Sequence, residues 1–337
     1  MLSVFFLGSG EKRGWRSWLG AAFWFAVLVA LVLYGLIGTR LFFLSTLGTV
    51  FMYVVLTQAW NILGGYGGYL NFGMVTFFGT GAYASAILFH YFGLSPFLTA
   101  PLAGLAAAVA GLVIGIPTLR LRGAYFALVT MIITFAVQIL VLNLSWTQGA
   151  LGIYMQPIGL TPLGVERLFY FLFLGLAVLV TGLVYAIERS NMGWALVAIR
   201  EDEDAAEIIG VKTIEVKWIA NAIACFIAGV VGGLYAQRIM YIEPFGTFAF
   251  DISLNTVLMA VIGGAGSWQG PLIGAPVVLL VADALRVTFT SEMNRAIFSV
   301  VVIMIALFIP GGVMGLLDRW KRRGKRAEAV PAPERAD

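Results

Sequence analysis

Long apolar runs alternate with short polar breaks along almost the whole chain, and most of the runs have the length of a bilayer crossing. One crossing takes about 20 apolar residues. Runs near that length fall at 19–37, 41–63, 96–117, 124–143, 168–187, 218–239, 272–289 and 296–317. Two further apolar stretches are interrupted by glycine. Residues 64–86 contain Gly64, Gly65, Gly67, Gly68, Gly73, Gly79 and Gly81 and lead into a third span ending near Phe92. Residues 252–262 are short for a crossing and run into 263–271, GGAGSWQGP. The pattern predicts an all-α polytopic membrane protein of about ten transmembrane spans with two glycine-broken elements.

Irregular backbone at membrane depth is tolerated only where protein buries it or a water-filled cavity receives its free N–H and C=O groups. That makes 64–86 the first candidate for lining a pathway. One such element in each half of the chain suggests an internal duplication of the kind found where transporter halves meet. Other small residues signal helix packing: Gly104, Ala108, Gly111 and Gly115 in the fourth span, and Ala222, Ala228, Gly229 and Gly233 in the seventh, let two backbones approach closely. Thr130, Thr134 and Gln138, four residues apart, share one face of the fifth span.

Between 191 and 217 lies the only long segment that mixes charge with helical periodicity. Glu201, Asp202, Glu203 and Asp204 cannot sit in hydrocarbon, where one central charge costs roughly 2.5–3.5 kcal/mol, so this segment lies in water. Trp194, Val197, Ala198, Ala205, Ile208 and Ile209 recur at spacings of three, four and seven and stripe one side of a short helix or helix pair. Asp204 and Glu207 have the spacing of a capping box, and Gly210 is a suitable stop. Such a segment is either shaped for a groove on another protein or an ordinary solvated loop helix.

Composition agrees with the membrane reading: 61% of the 337 residues are hydrophobic and 11% charged, against 45–50% and about 25% in soluble domains. No soluble domain fits beside ten spans. The net charge of +4 and pI near 9.2 come from Lys and Arg outside the spans, which are topology signals and not a nucleic-acid footprint. Sixteen of the 21 basic residues fall on one side, among them Lys12, Arg13, Arg16, Arg120, Arg122, Arg189, Arg200, Lys212 and Lys217. Both termini are therefore expected in the cytoplasm. This gives a segment 1–18, a transmembrane domain 19–317 with a cytoplasmic loop 189–217, and a basic tail 318–337. The amino-terminal apolar run is too long for a signal-peptide core and reads as a retained span.

The chemistry present is sparse. No Gly-x-x-x-x-Gly-Lys-Ser/Thr phosphate loop occurs, so any ATP work belongs to another subunit. One cysteine, Cys225, and one histidine, His90, cannot make a metal site, and His90 sits at the end of an apolar run as an interfacial residue. Asp283 and Arg286 are spaced to pair on one helix face. Glu243 and Asp251 belong to a polar outer turn. No carboxylate pair in mid-membrane and no nucleophile with a base points to an enzyme.

Four ordered stretches carry a family likeness: GYGGYLNFGMVTFFGTGAY, LRLRGAYFALVTM, MGWALVAIREDEDAAEIIGV and VIGGAGSWQGPLIGA. Together they resemble the permease subunits of bacterial ABC importers for branched-chain amino acids, in particular the M-type of the two homologous permeases, over about 64–315. The Asp204-Ala205-Ala206 to Gly210 spacing is similar to the Glu-Ala-Ala-x-x-x-Gly loop by which ABC permeases dock on their ATPase. Asp204 replaces the Glu, the later Leu-Pro is absent, and Met74 stands where many members carry a histidine.

The resemblance implies a multi-pass protein of the bacterial inner membrane, embedded in lipid and working with a second permease, two cytoplasmic ATPase subunits and a periplasmic solute-binding protein. ATP and Mg would be held by the ATPases, with no cofactor on this chain. It implies that Trp194, Arg200, Glu201, Asp202, Glu203, Asp204, Ala205, Ala206, Glu207 and Gly210 form the coupling loop. Gly68, Tyr69, Asn71, Phe72, Gly73, Thr76 and Gln138 would line the path of branched-chain or other hydrophobic amino acids moved inward by alternating access. Urea permeases and importers of small carboxylates are similar to the same family. The rival of a different class is an ATP-independent channel or carrier.

Overall fold

The computed structural model describes residues 15–157, 159–288 and 312–315. Its helices, in chain order, are α1 Trp15–Ile37, α2 Leu41–Trp60, α3 Met74–Phe92, α4 Pro96–Thr118, α5 Ala124–Asn143, α6 Pro162–Glu188, α7 Asn191–Glu201, α8 Glu203–Ile208, α9 Thr213–Ile239, α10 Pro244–Thr247, α11 Phe250–Gly263 and α12 Gly270–Thr288. A π-helix, Asn61–Tyr66, continues α2. Two short strands, β1 Ile153–Tyr154 and β2 Tyr241–Ile242, pair antiparallel with Ile153 opposite Ile242.

The expected fifth span and α5 coincide, and the fold departs from the sequence pattern where local capping intervenes. Pro162 takes the first helical position and Thr161 Oγ1 accepts a hydrogen bond from Gly164 N at 3.2 Å, so α6 starts six residues before the apolar run. Glu166 and Arg167 are thereby helical. The stretch thought short for a crossing gains a turn, because Glu243 caps α10 by accepting from Phe245 N and Gly246 N. The expected outer loop 143–167 is partly regular, with 3-10 turns at Ser145–Thr147 and Gly149–Leu151 followed by β1.

Among the described residues six helical segments are long and apolar enough to cross a membrane: Leu41–Tyr66, Phe97–Thr118, Ala124–Asn143, Pro162–Glu188, Thr213–Ile239 and Pro244–Gly263. The stretches Trp24–Ile37 of α1 and Gly270–Asp283 of α12 are apolar as well. α3 has the length but not the hydropathy, diluted by Gly79, Thr80, Gly81 and Ser85. The chain is an all-α membrane protein; six such helices stand among the described residues, and about ten spans were expected over the whole chain. The segments 1–14 and 318–337, most of the expected span 296–317, and the Arg286 side chain of the expected pair with Asp283 lie outside the described residues.

α9 is the axis of the bundle, with α3 and α4 packed along its sides. Two glycines one turn apart make this possible. A Cβ on Gly229 would lie 2.4 Å from Ala107 Cβ of α4, and one on Gly232 would lie 1.9 Å from the Phe78 carbonyl oxygen of α3. The matching ridge on α4 runs through Ala103, Gly104, Ala107 and Gly111, all buried. Ala108 and Ala222, placed on the ridges by spacing alone, are only half-buried, because a straight helix turns 3.6 residues per turn and carries them off the seam.

Both ends of α9 carry an ion pair. Lys217 Nζ lies 2.6 Å from Glu203 Oε1. At the other end Arg238 binds Glu166 Oε2 at 2.9 Å and reaches the Ser45 carbonyl and the Ser45 and Thr49 hydroxyls of α2. Twenty-one residues of helix separate the two cations by about 31 Å, the thickness of a hydrocarbon core. The charges that close the most enclosed helix therefore sit at the two levels where a bilayer tolerates them.

Gly232→Leu is expected to push α9 off α3 and destabilise the protein by about 3 kcal/mol, read as a fall in the melting temperature in detergent. Gly175→Ala, where an added methyl meets nothing within 4 Å, should leave that temperature unchanged or raise it slightly, as Ala is the better helix former.

Candidate functional site

The acidic segment folds as an elbow of two helices. Ser190 caps α7, its Oγ accepting from Gly193 N. Asp202 has the extended backbone (φ −161°, ψ 113°) that ends α7 and starts α8, and its carboxylate accepts from Ala205 N at 3.0 Å. The capping box expected from Asp204 and Glu207 does not form, because the cap lies at Asp202. Asp204 is free to meet Arg122, and Glu207 accepts from Thr213 Oγ1 at 2.6 Å. Gly210, with φ +92°, ends α8 as expected: its N–H bonds the Glu207 carbonyl while Val211 N bonds that of Ala206, the paired closure that favours glycine.

The break at Asp202 resets the helical phase, so the six-residue stripe expected from spacing does not form one face. Gly193, Leu196, Ile199 and Ala206 turn inward and are buried, while Val197 and Ala198 are half-buried and Ala205 exposed. Trp194, Ile208 and Ile209 face outward, 53%, 86% and 76% exposed. Glu201 and Glu207 are exposed beside them.

Glu203 holds the elbow to the bundle. Its Oε1 takes Lys217, and its Oε2 takes the Tyr69 hydroxyl at 2.6 Å and Arg122 Nε at 3.1 Å. Lys217 also donates to the Leu119 carbonyl at 2.9 Å and lies 5.1 Å from the Tyr69 ring centre. One cluster thus joins α8, α9, the end of α4, the turn after it and the backbone break at Tyr69. The Lys217 and Glu203 side chains are only 3% and 10% exposed. Burial by itself raises the Glu203 carboxyl, but hydrogen bonds from Lys217 and Tyr69 and the charges of Lys217 and Arg122 outweigh it and hold the group below the usual glutamate range. Arg122 makes a two-pronged contact with Asp204, at 3.1 and 2.8 Å, and lowers that carboxyl as well. The Arg122–Asp204 pair is solvent-exposed and orients more than it stabilises.

The seven expected pathway residues are dispersed. Tyr69 belongs to the elbow cluster, and Gly68 (φ +75°) packs against the Arg200 side chain. Asn71 is tied into the fold twice, its Oδ1 accepting from Gly73 N and its carbonyl from Trp60 Nε1. Phe72 N donates to Thr130 Oγ1, and the Thr76 and Thr134 hydroxyls bond at 2.9 Å. Gln138 donates to the Pro244 carbonyl. Asn71, Gly73 and Thr76, with Thr130 and Asn221, line a cavity of about 10 Å³, room for about one water molecule and no solute. A wider cleft of about 230 Å³ opens at the elbow between Gly68, Tyr69, Arg122, Arg200 and the carboxylates 201–204. Among the described residues no group of three or more metal-ligating side chains occurs. The chain's spacing did not reveal the roles of Arg122 and Lys217 in this cluster; the only sequence signal was two isolated cations flanking apolar runs.

The model of the family described as branched-chain amino acid transport system permease component matches residues 42–307. The high-affinity branched-chain amino acid transport system permease protein LivM of Salmonella typhimurium is 31% identical over 300 residues, covering 81% of this chain and 67% of the relative. LivM of Escherichia coli gives the same figures. The corresponding LivH of Escherichia coli is 32% identical over 130 residues, 38% of this chain and 41% of the relative. No solved structure matches the chain.

Glu203→Gln is expected to leave Lys217 buried without its counter-charge and to cost about 3 kcal/mol, measured by chemical denaturation in detergent. Glu203→Gln combined with Lys217→Met should recover most of that loss. Because the folded Glu203 carboxyl titrates below its unfolded value of about 4.3, its stabilisation is complete at neutral pH and is lost as pH falls below about 4. A stability profile from pH 7 to 3 should show that fall, and Glu203→Gln should flatten it.

Proposed function

The chain belongs to the branched-chain amino acid transport permease family, and from that premise we propose that it is the transmembrane permease subunit of an ATP-driven importer for branched-chain or other hydrophobic amino acids in a bacterial inner membrane. Its partners are a homologous second permease, two cytoplasmic ATPase subunits that hold ATP and Mg, and a solute-binding protein outside the membrane. Similarity to both LivM and LivH supports pairing of two related permeases. The chain has no phosphate loop of its own, so the energy must enter through a contact.

The observation that carries this reading is the position of Trp194, Ile208 and Ile209. They are exposed apolar side chains on a segment whose four clustered carboxylates keep it out of hydrocarbon. Lipid therefore cannot cover them, and a protein surface is the covering that fits. The same helix pair is fixed from behind by Glu203 and Lys217. In the mechanism, closure of the ATPase dimer moves α7 and α8. The Glu203 cluster hands that movement to α9 and to the break at 67–73, and the helices around Asn71, Gly73, Thr76 and Thr130 part to admit solute from one side and then the other.

Reconstitution of the chain with its partner subunits should give leucine uptake that requires ATP, and uptake by this chain alone without ATP would refute the importer reading. Ile208→Asp with Ile209→Asp is expected to lower recovery of the ATPase in pull-downs about tenfold or more, with the melting temperature of the permease unchanged. Competition by urea or a small carboxylate at the solute-binding protein, in place of leucine, would reassign the solute within the same family.

A further inference from the structure

The two glycine-broken elements, about 200 positions apart in the chain, touch each other. A Cβ on Gly65 would lie 2.6 Å from the Gly266 nitrogen. Loop 264–269, with φ of +114° at Gly264 and +80° at Gly266, turns its backbone groups toward two fully buried amides, Gln58 of α2 and Asn61 of the π-helix that continues it. Asn61 Oδ1 accepts from Gly266 N at 2.8 Å and its Nδ2 donates to the Ser267 carbonyl at 2.9 Å, while Gln58 Nε2 donates to the Trp268 carbonyl at 2.7 Å. The Trp268 ring packs against Trp24 of α1 and Tyr185 of α6.

Two residues on either side of the α6–α7 turn reach this junction. Glu188, the last residue of α6, accepts through one oxygen from Tyr66 OH at 2.5 Å and Trp268 N at 3.2 Å, and so binds one group from each broken element. Arg200, in the last turn of α7, donates from Nη1 to the Gly65 carbonyl at 3.1 Å. Its side chain fills the space beside Gly68 and Gly266, where an added Cβ would come within 2.9 Å of it. Arg200 thus reaches the junction from the elbow cleft, where it stays exposed to solvent.

We propose that Glu188 and Arg200 are positioning residues that carry the movement of the elbow to the junction of the two broken elements, which closes the pathway at the elbow end. This rests on the permease reading above. α7, about 16 Å long, is tied to the junction through Arg200 in its last turn, and the end of α6 that leads into it is tied there through Glu188, so a tilt of α7 is coupled to that junction. The contact is made largely of hydrogen bonds to backbone groups of Gly65, Gly266, Ser267 and Trp268, and such partners can exchange between two discrete arrangements. The π-helix Asn61–Tyr66 runs into the first broken element, and such wider turns are frequent at functional sites.

The test uses the full importer in lipid nanodiscs for ATP hydrolysis and in proteoliposomes for uptake, with leucine as the solute. Arg200→Ala and Glu188→Gln are expected to retain the ATPase in pull-downs and to lower leucine moved per ATP hydrolysed about tenfold, with Arg200→Lys, which keeps one donor for the Gly65 carbonyl, falling between. Wild-type transport per ATP in both Arg200→Ala and Glu188→Gln would overturn the inference. So would equal losses in Arg200→Ala and Arg200→Lys that simply follow a lowered melting temperature, since that pattern marks a structural role. Wild-type uptake without the ATPase would instead overturn the importer reading, and this inference with it.

Discussion

A lysine ammonium enclosed where α9 enters the bundle needs a counter-charge, and Glu203 is the group that supplies it. Uncompensated, such a charge costs several kcal/mol of desolvation. Paired with Glu203 and bonded to the Leu119 carbonyl and the Tyr69 hydroxyl, it becomes the point where four pieces of chain meet. A short two-helix segment in water would otherwise have little to hold it, since α8 is only six residues long and isolated helices of that length are not stable. The pair turns a polar loop into a fixed part of the bundle.

What the pair is fixed to matters equally. α9 lies so close to α3 and α4 that only glycine fits at Gly229 and Gly232. Helix contacts of that kind are set by shape, because lipid removes the hydrophobic drive that would otherwise hold helices together. The Arg238–Glu166 pair at the far end then prevents the helix from sliding along its own axis.

Many polar groups inside the described spans follow a second rule, that a polar group at membrane depth is satisfied from within the chain, with Gln58 Oε1 and the Tyr83 hydroxyl as exceptions. Thr76 with Thr134, Asn71 with the Gly73 N–H, and Asn61 with loop 264–269 each satisfy another group of the same chain. Opening a path among them therefore means exchanging one set of partners for another. That favours motion between discrete bonded arrangements over gradual widening, and it places the exchange where glycine leaves backbone groups accessible.

The sequence by itself determined the membrane class, most helix bounds, the water-exposed elbow and its glycine stop, because these depend on local hydropathy, length and the conformational preferences of single residues. It also marked both glycine-broken elements. It did not reveal that they lie against each other, that Asp202 and not Asp204 caps α8, or that Tyr69 and Gln138 serve different ends of the bundle. Nor did it show that Lys217 and Arg122 share a carboxylate with Tyr69. Those facts belong to the tertiary structure, since a periodic stripe loses its phase at every break, and contacts between residues 134 or 205 positions apart are decided by how the helices pack.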